Sequence, residues 1–127
     1  MTRLNKFRTA SVVFALGIGL IVYAADKGLA KPVFDAVRAL PAGDKISHCL
    51  LMGTLAALTN LAWSCRRLGS RDWSPGIGTL VVIVIVVAEE ISQIWIPGRT
   101  FEWLDLTADA VGIALGQWIA LRIWRRG

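Results

Sequence analysis

Residues 89–109 read EEISQIWIPGRTFEWLDLTAD, and the fold turns on how this stretch is parsed. It is the end of one apolar helix, a Pro-Gly-Arg turn and the start of a second apolar helix, with carboxylates on both sides of the turn. Each helical residue advances about 100°, which puts Glu89, Glu90 and Gln93 on one face of the first helix. Asp105 and Asp109, four apart, share a face of the second and continue in register into Gly112 and Gly116. Pro97 and Gly98 end the first helix, Thr100 suits the N-cap of the second, and Arg99 sits at the apex. A tight hairpin is expected, with its two acid-bearing faces meeting.

Outward from that hairpin the chain is strongly apolar. Of its 127 residues 55% are hydrophobic, and a mean hydropathy of +0.57 is too high for an ordinary soluble core. Four apolar segments, 10–25, 46–63, 76–96 and 104–124, are each about long enough to cross roughly 30 Å of hydrocarbon. They leave no room for a soluble domain and contain no internal repeat. The reading is all-α: an integral membrane four-helix bundle, one domain over 1–127, with its motifs between 44 and 116. A net charge of +5 does not point to nucleic acid, because the basic residues sit in short flanks between apolar runs.

Those flanks set an orientation. Arg3, Lys6, Arg8, Arg66, Arg67, Arg71, Arg122, Arg125 and Arg126 fall on one side, largely without acids beside them, and that side is read as cytoplasmic. On the other side Lys27, Lys31, Arg38, Lys45 and Arg99 are offset by Asp26, Asp35, Asp44, Glu102 and Asp105. Both termini are therefore expected in the cytoplasm. The basic start and Val22-Tyr23-Ala24 also fit a signal peptide, but the first apolar run is long for one and further apolar segments follow, so an uncleaved first helix is expected. Trp63, Trp73 and Trp124 suit an inner aromatic belt, and Trp95 and Trp103 an outer one. Between the first two segments, Val33, Phe34, Val37 and Leu40 recur at helical spacing after Pro32. This is the pattern of a short helix lying at the outer interface with Asp35 and Arg38 toward water. Cys49 and Cys65, 16 positions or about 24 Å apart along a helix, are beyond disulfide reach. No zinc spacing is present, and no metal or other cofactor is implied.

With that orientation the membrane-level polar groups gather at one depth. Asp44, an N-cap candidate, Lys45 and His48 open the second segment, Glu89, Glu90 and Gln93 close the third, and Asp105 and Asp109 open the fourth. Counting from Gly76, Glu90 lies about 20 Å up, roughly 10 Å below the outer surface. A carboxylate facing lipid costs about 3 kcal/mol or more, so these groups are expected to face one another or a wet cavity that opens outward. Glu89, Glu90, Asp105 and Asp109 have only Arg99, Lys45 and His48 as nearby cationic partners. Full ionisation would leave excess negative charge, to be met by protonation or by a cationic group. Gly112 and Gly116 are read as close packing inside the bundle.

At these residues the chain resembles the VanZ-like family of bacterial membrane proteins. The resemblance rests on DKxxH at Asp44, Lys45 and His48, on ExxQ at Glu90 and Gln93 followed by PGRT at Pro97 to Thr100, and on DxxAD with GxxxG from Asp105 to Gly116. Where the family usually has Asn, this chain has Asp109. The resemblance implies a multi-pass protein of the bacterial cytoplasmic membrane whose namesake is linked to reduced sensitivity to teicoplanin-type glycopeptides, with no established reaction. Its ExxQ spacing selects Glu90 over Glu89 for the centre of the pocket, near Gln93 and Arg99, with Arg99 turned inward onto Glu90, Asp105 or Asp109.

The candidate site is thus Asp44, Lys45, His48, Glu90, Gln93, Arg99, Asp105 and Asp109, and the first reading of it is non-enzymatic recognition of a lipid or envelope-precursor head group. An intramembrane acid/base enzyme is the second: carboxylates, a His and an Arg suit such chemistry, but no nucleophile motif accompanies them. A small proton-coupled transporter is the third, and it is disfavoured because the first apolar segment has no charge between Ser11 and Ala25. The bilayer is the one partner implied; oligomeric state is not legible. Reporter fusions after Arg126 and within 66–71 are expected to read cytoplasmic and a fusion near Ala42 external. The opposite pattern would remove the outward-opening pocket.

Overall fold

In the computed structural model, residues 2–41, 43–71, 74–96 and 103–126 are described. They form five helices: α1 (Arg3–Asp26), α2 (Lys31–Ala39), α3 (Gly43–Ala62), α4 (Ile77–Ser92) and α5 (Trp103–Arg126), with a 3-10 turn over Gln93–Trp95 extending α4. The expected 97–100 turn, with Arg99 and the Thr100 cap, lies outside the described residues, as do Ala42, Trp73 and Glu102. Four long helices and one short one fit the expected bundle. α1, α5 and α4 with its 3-10 turn are each long and apolar enough to cross a membrane. α3, about 30 Å long at 20 residues, is the fourth long helix and falls outside that set.

The reason lies in where α3 sits. It packs against α1, α2, α4 and α5, so much of its surface meets protein and it can carry Asp44, Lys45, His48 and Asn60. Its partners show the reverse pattern. α1 has no buried residue, turning Phe14, Ala15 and Ile18 to the core of Leu55, Ala56, Val82, Val86 and Ile113 and leaving Val12, Val13, Leu16 and Leu20 exposed. On α4 the valines divide likewise, Val82 and Val86 inward, Val84 and Val87 outward. Apolar side chains facing outward at this density suit a lipid surround.

Several element ends differ from the sequence reading, each for a local reason. α1 begins at Arg3, because the Thr2 hydroxyl caps the Asn5 amide at 3.1 Å. α4 stops at Ser92 and tightens, and Ile96 is extended at φ −99° and ψ 122°, the conformation a residue preceding proline favours. α2 forms where expected, with Pro32 in its first turn and Lys31 paired to Asp35 at 2.9 Å, but Val33 and Leu40 stay largely exposed.

Closest approach is between α3 and α5. A Cβ added at Gly112 would collide with the Cys49 carbonyl, one at Gly116 with the Gly53 carbonyl, and one at Gly53 with the Gly112 carbonyl. Three glycines therefore let the two backbones touch, the small-residue device of helix pairs in lipid. At the basic end of the bundle a neutral polar network joins three helices. Asn60 Nδ2 donates to Thr79 Oγ1 at 2.9 Å and to the Ala56 carbonyl at 2.9 Å. Thr79 donates in turn to Gln117 Oε1 at 2.5 Å, which also accepts from the Gly76 amide at 2.8 Å. Gln117 Nε2 donates to the Ser74 carbonyl at 3.3 Å. Basic side chains close this end: Arg3 donates to the Ile123 carbonyl at 3.1 Å while lying over the Phe7 and Trp124 rings.

Gly112→Ala is expected to destabilise the protein by roughly 1–3 kcal/mol, since the collision is with backbone that cannot turn aside. Gly17→Ala on α1, with open space around it, is expected to be neutral or slightly stabilising. Thermal unfolding of the two variants in detergent checks the contrast.

Candidate functional site

The carboxylate-rich groups collect at the opposite end of the bundle from the Asn60 network, where α3 and α5 begin and α4 ends. Asp44 and Asp105 lie in the first turns of α3 and α5, where helix dipoles favour negative charge. Asp44 is not the N-cap that the sequence suggested, because α3 already includes Gly43. Its carboxylate is freed from capping and half-exposed. Lys45 reaches back from α3 to Asp105 on α5 at 2.5 Å and to Asp44 at 3.3 Å. One ammonium thus holds two carboxylates from different helices.

One turn deeper, His48 and Asp109 meet across the same interface, Nδ1 to Oδ1 at 3.0 Å. The glycine contact makes this possible: with Gly112 against the Cys49 backbone, the helices are near enough for an imidazole to touch an aspartate. The other ring nitrogen, Nε2, faces Asp44 Oδ1 at 3.8 Å and Asp105 Oδ2 at 3.9 Å. His48 is therefore surrounded by three carboxylates from two helices. Asp109 is 2% exposed and Asp105 7%, so both are largely shielded from solvent.

Glu90 comes from the last turn of α4. It is 1% exposed, and neither carboxylate oxygen has a hydrogen-bond partner among the described residues. A ligand atom from each of Glu90, His48 and Asp109 lies within 4.8 Å of the other two. An unmet buried carboxylate is costly anywhere, and at a helix C-terminus the dipole adds to the cost. Gln93 does not relieve it. The amide of Gln93, itself buried, donates to Glu89 Oε1 at 2.7 Å, which corrects the expected pairing with Glu90. Glu89, on the rim, takes the amide, and Glu90 inside goes without.

Of the eight candidates, the structure brings together Asp44, Lys45, His48, Glu90, Asp105 and Asp109. Gln93 bonds to Glu89 instead, and Arg99 lies outside the described residues. Beside the acids, a groove of about 410 Å³ runs between α4 and α5. Its walls are apolar, Val86, Leu106 and Ile113 among them, and it ends on Asp109 at one side and on Thr79 and Gln117 at the other. The sequence reading missed this groove and the Asn60–Thr79–Gln117 network. Single polar residues in the basic halves of three separate helices were the available signal. Their meeting depends on the rotation of each helix, which periodicity alone does not give.

The family model for VanZ/LLP1 matches residues 3–125, a longer span than the 44–116 that carries the motifs. No curated protein and no solved structure matches the chain.

Lys45→Met leaves the shielded Asp105 without its ammonium and is expected to destabilise the protein by roughly 2–3 kcal/mol, the lower end for a buried pair because Lys45 is partly exposed. Adding Asp105→Asn to that variant is expected to recover most of the loss. A double-mutant cycle followed by unfolding in detergent measures the coupling.

Proposed function

The chain belongs to the VanZ/LLP1 family, and from that premise we propose that it is a multi-pass protein of the bacterial cytoplasmic membrane, both termini inside, whose acidic end is an outward-facing pocket for the polar head group of a lipid or lipid-linked envelope component. Glu90 is the observation that carries this reading. A membrane protein that shields a carboxylate to 1% exposure and supplies it with no donor among the described residues holds an acceptor ready for something else. The groove between α4 and α5 is apolar enough for an acyl chain and reaches Asp109, where the head group of that chain would sit. Head groups bearing an amine or hydroxyls supply the donors that the pocket lacks. Binding of this kind would alter which envelope precursors a glycopeptide meets, the link to lower teicoplanin sensitivity.

A second reading, an intramembrane acid/base enzyme acting on a lipid-linked substrate, draws on the His48–Asp109 pair at 3.0 Å. An imidazole oriented by a shielded aspartate can move a proton at a bound head group. The two readings part at His48: recognition tolerates His48→Gln better than proton transfer does.

The test uses two variants that touch the pocket differently. Glu90→Gln removes the negative charge and replaces one acceptor oxygen by an amide donor, and Ala114→Trp fills the groove from its exposed wall. Both are expected to cut lipid retention in native mass spectrometry by tenfold or more and to abolish any rise in teicoplanin resistance in a susceptible host, at unchanged membrane level. Glu89→Gln is expected to change little. Parental lipid retention and resistance in both variants would overturn the proposal.

A further inference from the structure

We propose that His48, Glu90 and Asp109 form a binding site for a divalent transition-metal ion of the Zn²⁺ class. The geometry supplies one imidazole nitrogen and two carboxylates from three helices, with donor atoms mutually within 4.8 Å. That is a donor set suited to zinc and its neighbours, three protein ligands with a position left open. The second, independent observation is the orphaned Glu90 carboxylate, buried and aimed into the cluster with no donor among the described residues.

The surroundings agree in detail. Two donors about 2.1 Å from one tetrahedral ion stand about 3.4 Å apart, so His48 Nδ1 and Asp109 Oδ1, 3.0 Å apart with a proton between them, need to part only slightly to admit one. The ion takes the place of the proton shared between them, as metal binding to a histidine requires. His48 Nε2 then carries the ring proton, and it faces Asp44 and Asp105 at 3.8 and 3.9 Å, the arrangement by which an outer carboxylate orients a ligating histidine. Lys45 holds those two outer carboxylates and so keeps them from entering the inner set. Charge favours occupancy as well. Asp44, Glu90, Asp105 and Asp109 carry four negative charges against one from Lys45 when the imidazole is neutral, and a divalent ion offsets two of the remaining three.

The experiment titrates the tag-free full-length chain, in nanodiscs of zwitterionic lipid, with Co²⁺ and then Zn²⁺ as the only probes. Uptake of one Co²⁺ per chain is expected, with the ligand-field absorption of a low-coordinate site that Zn²⁺ displaces. Glu90→Gln and Asp109→Asn are each expected to weaken affinity by about 100-fold or more and Asp44→Asn by about tenfold, while Glu89→Gln leaves it unchanged. No stoichiometric uptake by the parent would overturn the proposal, the result expected if a guanidinium or ammonium already fills the space at Glu90. Parental affinity in both Glu90→Gln and Asp109→Asn would overturn it too, by placing the ion elsewhere. Should either variant fail to fold, the parent's stoichiometry and spectrum still decide. Since the readout is metal uptake and not lipid retention, a negative result leaves the lipid-pocket reading standing.

Discussion

Ionisable groups buried among apolar helices can be solvated only by one another, and that constraint shapes the acidic end of this protein. Four carboxylates, an ammonium and an imidazole from three helices are drawn to one level because the alternative, any of them facing hydrocarbon, costs several kcal/mol each. The pairing is layered. Lys45 with Asp105 and Asp44 forms the upper tier, His48 with Asp109 the lower, and each tier crosses the α3–α5 interface. Asp44 and Asp105 also sit in the first turns of their helices, so backbone dipoles assist the upper tier. Glu90 comes from the C-terminal end of α4 and has no such assistance.

The pairs depend in turn on backbone contact. Side chains as short as aspartate reach across a helix pair only where the axes are close, and Gly53, Gly112 and Gly116 bring α3 and α5 to that distance. This gives α3 its unusual composition. Enclosed by four neighbours, it exchanges lipid-facing leucines for the groups that make the site. Fold and site are therefore one arrangement: the glycine seam that sets the packing also sets the distance from His48 to Asp109.

Much of this was legible in the sequence because it is carried by periodicity and by sign of charge. The spacing of Asp105, Asp109, Gly112 and Gly116 placed acids and glycines on one face of α5, and all four are buried. What the spacing did not settle was helix rotation. Glu89 and Glu90 are equivalent by angle about Gln93. The structure separates them by turning Glu90 inward, while Gln93 follows Glu89 instead. The end of α4 was placed too far along, since hydropathy continues through Ile96 while the backbone already yields to the following proline. Asn60, Thr79 and Gln117 are single polar residues on three separate helices, and a network among them has no linear signature.

That network gives the sharpest measure of what is unusual about Glu90. At the basic end, Asn60, Thr79 and Gln117 lie within the bundle, and their bonds form a consistent chain: Asn60 donates to Thr79, Thr79 donates to Gln117, and Gln117 reaches the backbone of Gly76 and Ser74. Every step is neutral, and the helices are tied together without leaving charge in the interior. The same chain, with the same helices, can evidently satisfy a buried polar cluster when the cluster's task is to hold the fold. At the acidic end it does otherwise, installing charges rather than amides and leaving the most deeply shielded carboxylate without a donor among the described residues. If register were the only requirement, a second amide network would meet it at lower cost. The contrast between the two ends supports the proposal that the acidic cluster serves binding rather than register alone.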